Sequence, residues 1–315
     1  PEPITVTAVG FEQGYRSRVR FHVDSSGRVG FFARGSRDLV EVPGCLVCRP
    51  EIGDALARLR RVPKVSLSAF SEIDVRVADA GPSIDVRFSP RIAGGAGPAI
   101  SVVRATLPAE WSVSVDGDPA VGTNVPEQSF SLPGGTELYA PPGVFTQVNW
   151  PVNIALVEAV VEGARSRGVR RCLDAYAGAG NFSLPLLAAK MSGVSVERDA
   201  RAVAAARRAA VAQGLAEGGF MTGEAAQCLA ELARRREVFD LVLLDPPRSG
   251  AREVLTHVAA LRPDAVACCS CDPVTLARDL RTLAGAGYRL ESVRGFDMFP
   301  ETHHLETLAW MSRQK

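Results

Sequence analysis

The chain has 315 residues, of which 46% are hydrophobic and 23% are charged, a composition that fits a soluble globular protein. No uncharged apolar run is long enough to span a bilayer, and the net charge of +1 gives no overall basic signature of nucleic-acid binding. The seven cysteines argue against a secreted disulfide framework, so we expect a reduced, cytoplasmic protein. No signal peptide is visible, although the start at Pro1 leaves a trimmed leader open.

The first part of the chain, residues 1–143, is predicted to be a strand-rich domain. Alternating and helical spacings of apolar residues predict strands at residues 19–23, 29–33, 73–77 and 84–88, and a helix at residues 51–61. Segments rich in proline and glycine, at residues 133–135 and 141–143, then mark a domain boundary. The second domain is therefore predicted to span residues 144–315.

A run of arginines distinguishes the strand-rich half. Between residues 14 and 37 the only acid is Asp24, whereas the basic residues are Arg16, Arg18, Arg20, Arg28, Arg34 and Arg37. Such a patch could bind the phosphates of a nucleic acid. The alternative is a solvated strand face, since arginine is the usual cation throughout this chain.

From residue 153 onward, helices and strands are predicted to alternate. The predicted helices are residues 153–167, 182–189, 199–213, 224–236, 253–261 and 273–284, and the predicted strands are residues 171–174, 193–196, 219–222, 239–245, 265–270, 288–296 and 305–311. This order predicts an α/β fold with a doubly wound, mostly parallel sheet. The last two strands have no helix between them and should be antiparallel, and Asn153 is a candidate N-cap of the first helix.

A glycine turn between two of these strands predicts a nucleoside cofactor. Asp174 ends one strand, Gly178 and Gly180 form the turn, and Glu197 ends the next strand. Glycines let a ligand approach the backbone, and a carboxylate at Glu197 can accept hydrogen bonds from two ribose hydroxyls. A dinucleotide fingerprint would place a third glycine where Ser183 stands, so S-adenosylmethionine is the closer interpretation. The alternative is a βαβ unit whose glycines only pack.

Two further strands end in residues suited to chemistry. Asp245-Pro246-Pro247-Arg248 forms a rigid turn after one strand, and Cys271 follows the next strand, beside a helix start. We expect the helix dipole to lower the pKa of the Cys271 thiol. The alternative is a buried apolar cysteine, which is the expected state of Cys268 and Cys269.

The C-terminal segment supplies a candidate base. Glu306 follows an apolar leucine just before the last predicted strand. His303 and His304 precede it, but without a cysteine or acid at ligand spacing they make a weak case for a metal, and no metal site is assigned.

These motifs together resemble one known family, the S-adenosylmethionine-dependent RNA 5-methyluridine (uracil-C5) methyltransferases. The matching motifs are FTQVN at Phe145, LDAYAGAGNFSLP at Leu173, DLVLLDPPRSG at Asp240, SCDPVTLARDL at Ser270 and DMFPETHHLE at Asp297. The resemblance implies a Rossmann-like class I methyltransferase domain with a seven-stranded sheet, preceded by a strand-rich α+β domain that binds RNA.

The resemblance also implies roles for individual residues. Cys271 would add to C6 of uracil as the nucleophile, and Glu306 would remove the proton from C5. The residues matching the family's S-adenosylmethionine site are Gln147, Tyr176, Asn181, Glu197, Glu224 and Asp245. A target uracil would have to leave its stack, and Arg16, Arg18, Arg20, Arg34 and Arg37 would hold the flanking RNA.

The stretch ending at Cys45 resembles ribosomal-RNA members of the family, in which a fourth cysteine completes a [4Fe-4S] cluster. Cys45 and Cys48 cannot make a four-thiolate site alone, so either three cysteines precede Pro1 or this member has lost the cluster. The resemblance favours 23S ribosomal RNA over tRNA as the substrate, and we expect a monomer with no membrane partner. Two rival interpretations stay open: an amino-group nucleic-acid methyltransferase, which needs neither Cys271 nor Glu306, and a non-catalytic RNA-binding relative.

Overall fold

The computed structural model describes residues 5–8, 12–78, 84–116, 118–119, 127–215 and 219–314. The chain divides into two compact units. The α/β unit comprises Pro1–Gly10, Ser131–Tyr139 and Pro151–Lys315, and the strand-rich unit comprises Phe11–Phe130 and Ala140–Trp150. No helix among the described residues is long and apolar enough to cross a membrane.

The α/β unit contains one eight-stranded sheet with helices between its strands, which confirms the predicted fold class. Its strands are β1 (Thr5–Thr7), β11 (Arg171–Ala175), β12 (Ser192–Glu197), β13 (Gly219–Thr222), β14 (Leu241–Leu244), β15 (Ala265–Ser270), β16 (Tyr288–Phe296) and β17 (Glu306–Arg313). Its helices are α4 (Trp150–Ser166), α5 (Ser183–Ala188), α6 (Ala200–Ala212), α7 (Ala225–Arg234), α8 (Leu255–Leu261) and α9 (Pro273–Gly285). The strand order is β1-β16-β17-β15-β14-β11-β12-β13. Seven of these strands were predicted, and β1 adds an eighth by pairing in parallel with β16.

The order of the strands fixes where a ligand can bind. Five strands, β11 to β15, are parallel, and the chain reverses direction across the sheet between β11 and β14. Ligands of such sheets bind at the carboxyl ends of the strands, at this reversal. Strands β14 and β15 are buried along their whole length, as strands covered on both faces must be. As predicted, β16 and β17 are antiparallel.

Two helix starts show what sequence signals can and cannot locate. The side chain of Asp199 caps α6 by accepting a hydrogen bond from the N–H of Arg201. The prediction that Asn153 caps the first helix is wrong, because α4 already begins at Trp150. Asn153 is instead fully buried and its side-chain amide is paired within the unit.

The strand-rich unit is built on a seven-stranded sheet of order β4-β3-β2-β5-β6-β7-β8. Its strands are β2 (Arg18–Val23), β3 (Val29–Phe32), β4 (Leu39–Val40), β5 (Phe70–Val77), β6 (Ile84–Pro90), β7 (Ser112–Val115) and β8 (Asp118–Pro119), and its helices are α1 (Pro50–Leu59), α2 (Lys64–Leu67) and α3 (Gly97–Thr106). Strands β6 and β7 are parallel, so the chain must cross over between them, and α3 forms this crossover. The sequence analysis predicted no helix at α3. Strands β9 (Gln128–Leu132) and β10 (Thr136–Ala140) pair around a turn at Pro133–Gly135, and each of the two strands contains a point where the chain passes from one unit to the other.

One face of the strand-rich sheet is apolar and the other carries charges. The apolar face packs against α1 in a core that includes Phe21, Leu56 and Phe88. On the charged face Arg76 is almost completely buried and donates to the carbonyl oxygens of Ala140 and Val144. A buried guanidinium must find such acceptors, so Arg76 fixes the chain segment that follows β10.

Candidate active site

The carboxyl ends of the parallel strands bring four of the predicted site residues to one edge of the α/β unit. Tyr176 follows β11, Glu197 ends β12, Asp245 follows β14 and Cys271 follows β15. Glu224 lies at the same edge as the exposed residue before α7. The edge therefore combines polar, acidic and thiol side chains at the position where this kind of sheet binds ligands.

The glycine turn and Glu197 are joined by backbone hydrogen bonds. One Glu197 carboxylate oxygen accepts from the N–H of Gly178 at 3.0 Å, and the other accepts from the N–H of Asp199 at 2.9 Å. Gly178 has a φ of +55° and faces open space where a Cβ would stand. A carboxylate accepts up to about four hydrogen bonds, so half-buried Glu197 retains sites for two hydroxyl donors.

A buried carboxyl, Asp174, precedes the glycine turn and forms a hydrogen bond with Ser183, the first residue of the helix that follows the turn. Asp174 is 1% exposed, and one of its oxygens accepts from the hydroxyl of Ser183, which in turn accepts from the hydroxyl of Ser195 at 2.8 Å. The other oxygen of Asp174 has no hydrogen-bond partner among the described residues. Burial raises the pKa of Asp174 to about 7, and the charges of Asp245 and Glu197 add to this effect.

Two further residues of the predicted cofactor site flank the turn. Asn181 exchanges two side-chain hydrogen bonds with Asn153, at 2.8 and 3.0 Å, which fixes the orientation of its amide. Tyr176 adopts a φ of +67°, an uncommon conformation for a residue with a side chain. Burial raises the pKa of Tyr176 to about 12, so its hydroxyl stays protonated and can donate.

Strand register places Cys271 and Glu306 at the same end of the sheet. Ser270, the last residue of β15, pairs with Thr307 of antiparallel β17, so the next residue in one direction is Cys271 and in the other Glu306. Cys271 is half-buried and Glu306 is buried. A partly accessible thiol thus lies beside a sequestered carboxyl, an arrangement suited to nucleophilic attack followed by proton removal.

The expected lowering of the Cys271 pKa is wrong. Burial and the neighbouring charge of Glu306 raise the pKa of this thiol, and Arg248 opposes them through its charge and a hydrogen bond. The first N–H groups of α9 do not serve the thiol, because the side chain of Asp272 accepts from Val274 and Thr275. Desolvation therefore outweighs the helix dipole here.

Two acids of the site, Asp245 and Glu306, have a raised pKa. Burial raises the pKa of Asp245 to about 6, and burial together with the charge of Asp245 raises the pKa of Glu306 well above its ordinary range. Cys268 and Cys269 are 4% and 1% exposed, which confirms that they are buried cysteines. Perturbed acids and a thiol in one cluster are typical of functional sites.

The remaining predicted residues belong to the strand-rich unit. Gln147 is half-buried, and the hydroxyl of Ser17 donates to the backbone carbonyl oxygens of Gln147 and Val148. Arg18 and Arg20 both bind the carboxylate of Asp74. The side chain of Arg16 donates to a backbone carbonyl within the same unit, whereas Arg34 and Arg37 are exposed.

Cys45 and Cys48 form no disulfide, and burial, together with the charge of Cys45, raises the pKa of Cys48 to about 12. Within the described ranges no cluster of three or more histidine, cysteine or acidic residues could hold a metal ion. These two thiols do not fit a four-thiolate cluster by themselves.

Sequence reasoning missed two residues that shape the site. The sequence analysis places Arg248 in the turn after a strand and Asp279 in the SCDPVTLARDL motif, and it predicts no role for either residue. Arg248 lowers the pKa of the Cys271 thiol, while Asp279 is buried and accepts from the backbone N–H of Ala251 at 2.6 Å. A buried acid inside an otherwise amphipathic helix was the available signal for Asp279, because such a charge needs a partner.

Comparison with known proteins identifies the same chemistry. The family model described as tRNA (uracil-5-)-methyltransferase matches residues 136–314. The 23S rRNA (uracil(1939)-C(5))-methyltransferase RlmD of Aeromonas salmonicida is 35% identical over 309 residues, covering 95% of this chain and 70% of that protein. RlmD of Pseudomonas putida is 33% identical over 318 residues, covering 98% and 70%.

A solved structure supports the fold. The tRNA (uracil-54, C5)-methyltransferase of Pyrococcus abyssi, in complex with S-adenosyl-L-homocysteine, has a TM-score of 0.75 at 22% identity and covers 98% of this chain and 78% of its own. The sequence matches extend over almost the whole chain and the family model over more than half of it. The chain therefore belongs to the tRNA (uracil-5-)-methyltransferase family of S-adenosylmethionine-dependent RNA uracil-C5 methyltransferases.

Proposed function

We propose that this protein methylates C5 of a uridine in 23S ribosomal RNA, with Cys271 as nucleophile and Glu306 as base. The observation that carries the proposal is the pairing of β15 with β17, which sets a half-buried thiol beside a buried carboxyl at the ligand edge of the sheet. The ribosomal substrate is supported by relatives named as 23S rRNA methyltransferases, which are 31–35% identical to this chain. A tRNA substrate is the second candidate, because the family model and the Pyrococcus abyssi enzyme carry that name.

The reaction needs both side chains because uracil C5 is a poor nucleophile. The Cys271 thiolate forms a bond to C6, and the electron pair displaced from the C5–C6 double bond makes C5 nucleophilic. When bound, S-adenosylmethionine supplies the methyl group that C5 takes. The Glu306 carboxylate then removes the C5 proton, the double bond re-forms, and the Cys271 thiolate leaves.

Both groups must lose a proton before they act, and both have a raised pKa. Burial and the charge of Asp245 raise the pKa of Glu306, and burial and the charge of Glu306 raise the pKa of Cys271. Arg248 stabilises the thiolate form of Cys271. The rate should therefore rise with increasing pH, as the acid and the thiol deprotonate.

The cofactor would be held around the glycine turn. Glu197 would accept from the ribose hydroxyls, and the fit rests on its remaining acceptor sites and on the open space at Gly178. The other proposed cofactor residues are Gln147, Tyr176, Asn181, Glu224 and Asp245. Asn181 is the best preorganised of these, because Asn153 fixes its amide.

The strand-rich unit would bind RNA next to the target base, with Arg16, Arg18, Arg20, Arg34 and Arg37 near phosphates. A cytoplasmic, monomeric enzyme and an iron–sulfur ligand at Cys45 stay predictions. The ligand role of Cys45 is supported only by the resemblance of its segment to ribosomal-RNA members of the family.

Covalent trapping tests the proposed roles. Cys271→Ala should form no adduct with RNA, whereas Glu306→Gln should add, methylate and then stall, because the C5 proton stays in place. A denaturing gel should show a slowly migrating protein–RNA band for Glu306→Gln, and for the wild type with 5-fluorouridine RNA. Cys228→Ala and Glu291→Gln are matched controls elsewhere in the α/β unit and should behave like the wild type.

A trapped band from Cys271→Ala with 5-fluorouridine RNA would show that another residue is the nucleophile. The substrate is identified separately, by mapping 5-methyluridine in all cellular RNA of a deletion strain. Loss of a site in 23S ribosomal RNA supports the first candidate, and loss of a site in tRNA the second. Loss of an N-methylated adenine or cytosine instead would favour the amino-group rival.

A further inference from the structure

The turn between β14 and α8 is bound to the side of α9 by a buried carboxylate. Asp279, 4% exposed, accepts from the backbone N–H of Ala251 at 2.6 Å through one oxygen. Its other oxygen accepts from Nε and Nη2 of Arg278 at 3.0 and 2.8 Å. Arg278 also donates to the carbonyl oxygen of Ser249 at 2.9 Å. Two adjacent residues of α9 thus hold two adjacent peptide groups of the turn.

The turn is shaped to accept this attachment. The N–H of Gly250 donates to the carbonyl oxygen of Pro247 at 2.8 Å, and Gly250 adopts a φ of +84°. A Cβ at Gly250 would collide with Nη2 of Arg278 and with an oxygen of Asp279. Glycine is therefore favoured at this position for two reasons: the backbone has a positive φ, and the turn lies too close to α9 for a side chain.

The same helix begins at the nucleophile. Asp272, directly after Cys271, caps α9, and Asp279 lies two helical turns further on, at a distance of about 10 Å along the axis. The turn that Asp279 holds carries Arg248, which lies close enough to Cys271 to lower the pKa of its thiol. Helix α9 is thus joined at its start to Cys271 and along its side to the turn that carries Arg248.

We propose that Asp279, assisted by Arg278, is a positioning residue that fixes the turn 245–251 against α9 and so holds Arg248 at the Cys271 sulfur. The group touches no reacting atom, and it acts only through the geometry of the turn. The significance of this role rests on the proposed function of Cys271, but the contact itself does not depend on that function.

The charges around the thiol predict the direction of the effect. Glu306, from the start of β17, raises the pKa of Cys271, and Arg248, from the turn, lowers it. Asp272 and His304 also lie near Arg248, and the charge of Arg248 contributes to lowering the pKa of His304. If the turn loosens, Arg248 withdraws while Glu306 stays on its strand, so the thiolate of Cys271 becomes harder to form.

Site-resolved alkylation tests this inference without RNA or cofactor. The rate of iodoacetamide reaction at Cys271 is measured against pH, with fragment-ion mass spectrometry to separate Cys271 from the neighbouring cysteines. Because the thiolate is the reacting form, the midpoint of this profile reports the thiol's titration. Asp279→Asn should move the midpoint upward by about half a unit to one unit, which slows alkylation at neutral pH about three- to tenfold.

Two more variants separate positioning from a loss of stability. Gly250→Ala disrupts the contact between the turn and Asp279 without removing the Asp279 charge, and it should shift the alkylation midpoint in the same direction. Arg248→Met removes the charge itself and should give the largest shift of the midpoint. The double variant Asp279→Asn with Arg248→Met should shift the midpoint no further than Arg248→Met alone. Asp264→Asn, an exposed carboxyl paired with Arg313, is the matched control and should leave the profile unchanged.

A purely structural role would lower the thermal midpoint of Asp279→Asn without moving the alkylation profile, and that result would overturn the inference. Additive shifts in the double variant, or no shift from Arg248→Met, would overturn it as well. If Asp279→Asn does not fold, Gly250→Ala and Arg278→Met provide the same comparison. Failure of methylation by the wild type would refute the proposed function and leave this alkylation result unaffected.

Discussion

The side chain of Glu197, at the ligand edge of the sheet, accepts hydrogen bonds from the backbone and is also proposed to accept them from the cofactor. Glu197 accepts from the N–H groups of Gly178 and Asp199, which fixes its rotamer before any ligand arrives. A glutamine at this position has one acceptor oxygen instead of two and could not keep both hydrogen bonds. The carboxylate is therefore required for the local fold as well as for the proposed contact with ribose.

This dual role gives a quantitative prediction for Glu197→Ala. The variant should bind S-adenosylmethionine more weakly by about 1–3 kcal/mol, because ribose hydroxyls would lose their acceptor in a partly buried site. Isothermal titration calorimetry measures the change. Glu291→Ala, which removes an exposed glutamate of β16 that pairs with Arg167, is the control and should bind normally. Unchanged affinity of Glu197→Ala would remove Glu197 from the cofactor site.

At the scale of elements, the sequence predicted what is local and missed what depends on distant packing. Strands β13, β15 and β16 have the predicted bounds, because apolar runs and turn residues define them without help from elsewhere. Helix α3 was missed because it begins with Gly97 and Pro98, continues with several β-branched residues that have low helix propensity, and is needed as a crossover only once β6 and β7 pair. The direction of the Cys271 pKa shift was wrong for a similar reason, since burial and the approach of Glu306 come from pairing with β17.

Three elements meet at the buried carboxyl of Asp174. Asp174 is the penultimate residue of β11 and accepts from the hydroxyl of Ser183 in α5, and Ser195 of β12 donates to that hydroxyl. One Asp174 oxygen has no partner in the described part of the chain, so burying its charge is costly. The folded pKa of about 7 therefore lies above the ordinary value of 3.8.

The raised pKa of Asp174 makes stability depend on pH. Between its ordinary pKa and about 7 the folded protein holds a proton that the unfolded chain has released, so this contribution falls as pH rises through that range. Asp174→Asn removes this titration. The free energy of unfolding of the variant, relative to that of the wild type, should therefore be higher at pH 8.5 than at pH 4 by roughly 2–4 kcal/mol. Urea unfolding at both pH values measures these free energies. The control Asp264→Asn should show the same pH dependence of stability as the wild type, and the same pH dependence for Asp174→Asn would contradict the prediction.

Over the whole molecule, a net charge of +1 conceals an uneven distribution. In the strand-rich unit Arg18 and Arg20 share the carboxylate of Asp74, and Arg20 also lies 3.3 Å from Glu72. These arginines are already partly neutralised inside the sheet. Arg34 and Arg37 are exposed in the segment after β3, and their charge is available to phosphates. The patch predicted from sequence thus contains two kinds of arginine that the linear pattern could not distinguish.

This difference predicts unequal effects on RNA binding. Replacing Arg34 and Arg37 together by glutamine should lower the slope of log affinity against log salt by about 1.4 to 1.8, which corresponds to two phosphate contacts. Replacing Arg18 and Arg20 should lower the slope less and should destabilise the unit, because Asp74 would stay largely buried without its partners. Filter binding at several salt concentrations, with thermal unfolding in parallel, separates the two effects. Affinity for S-adenosylmethionine should not change in Arg34→Gln with Arg37→Gln, and an unaltered slope in that variant would mean that these arginines only solvate the surface.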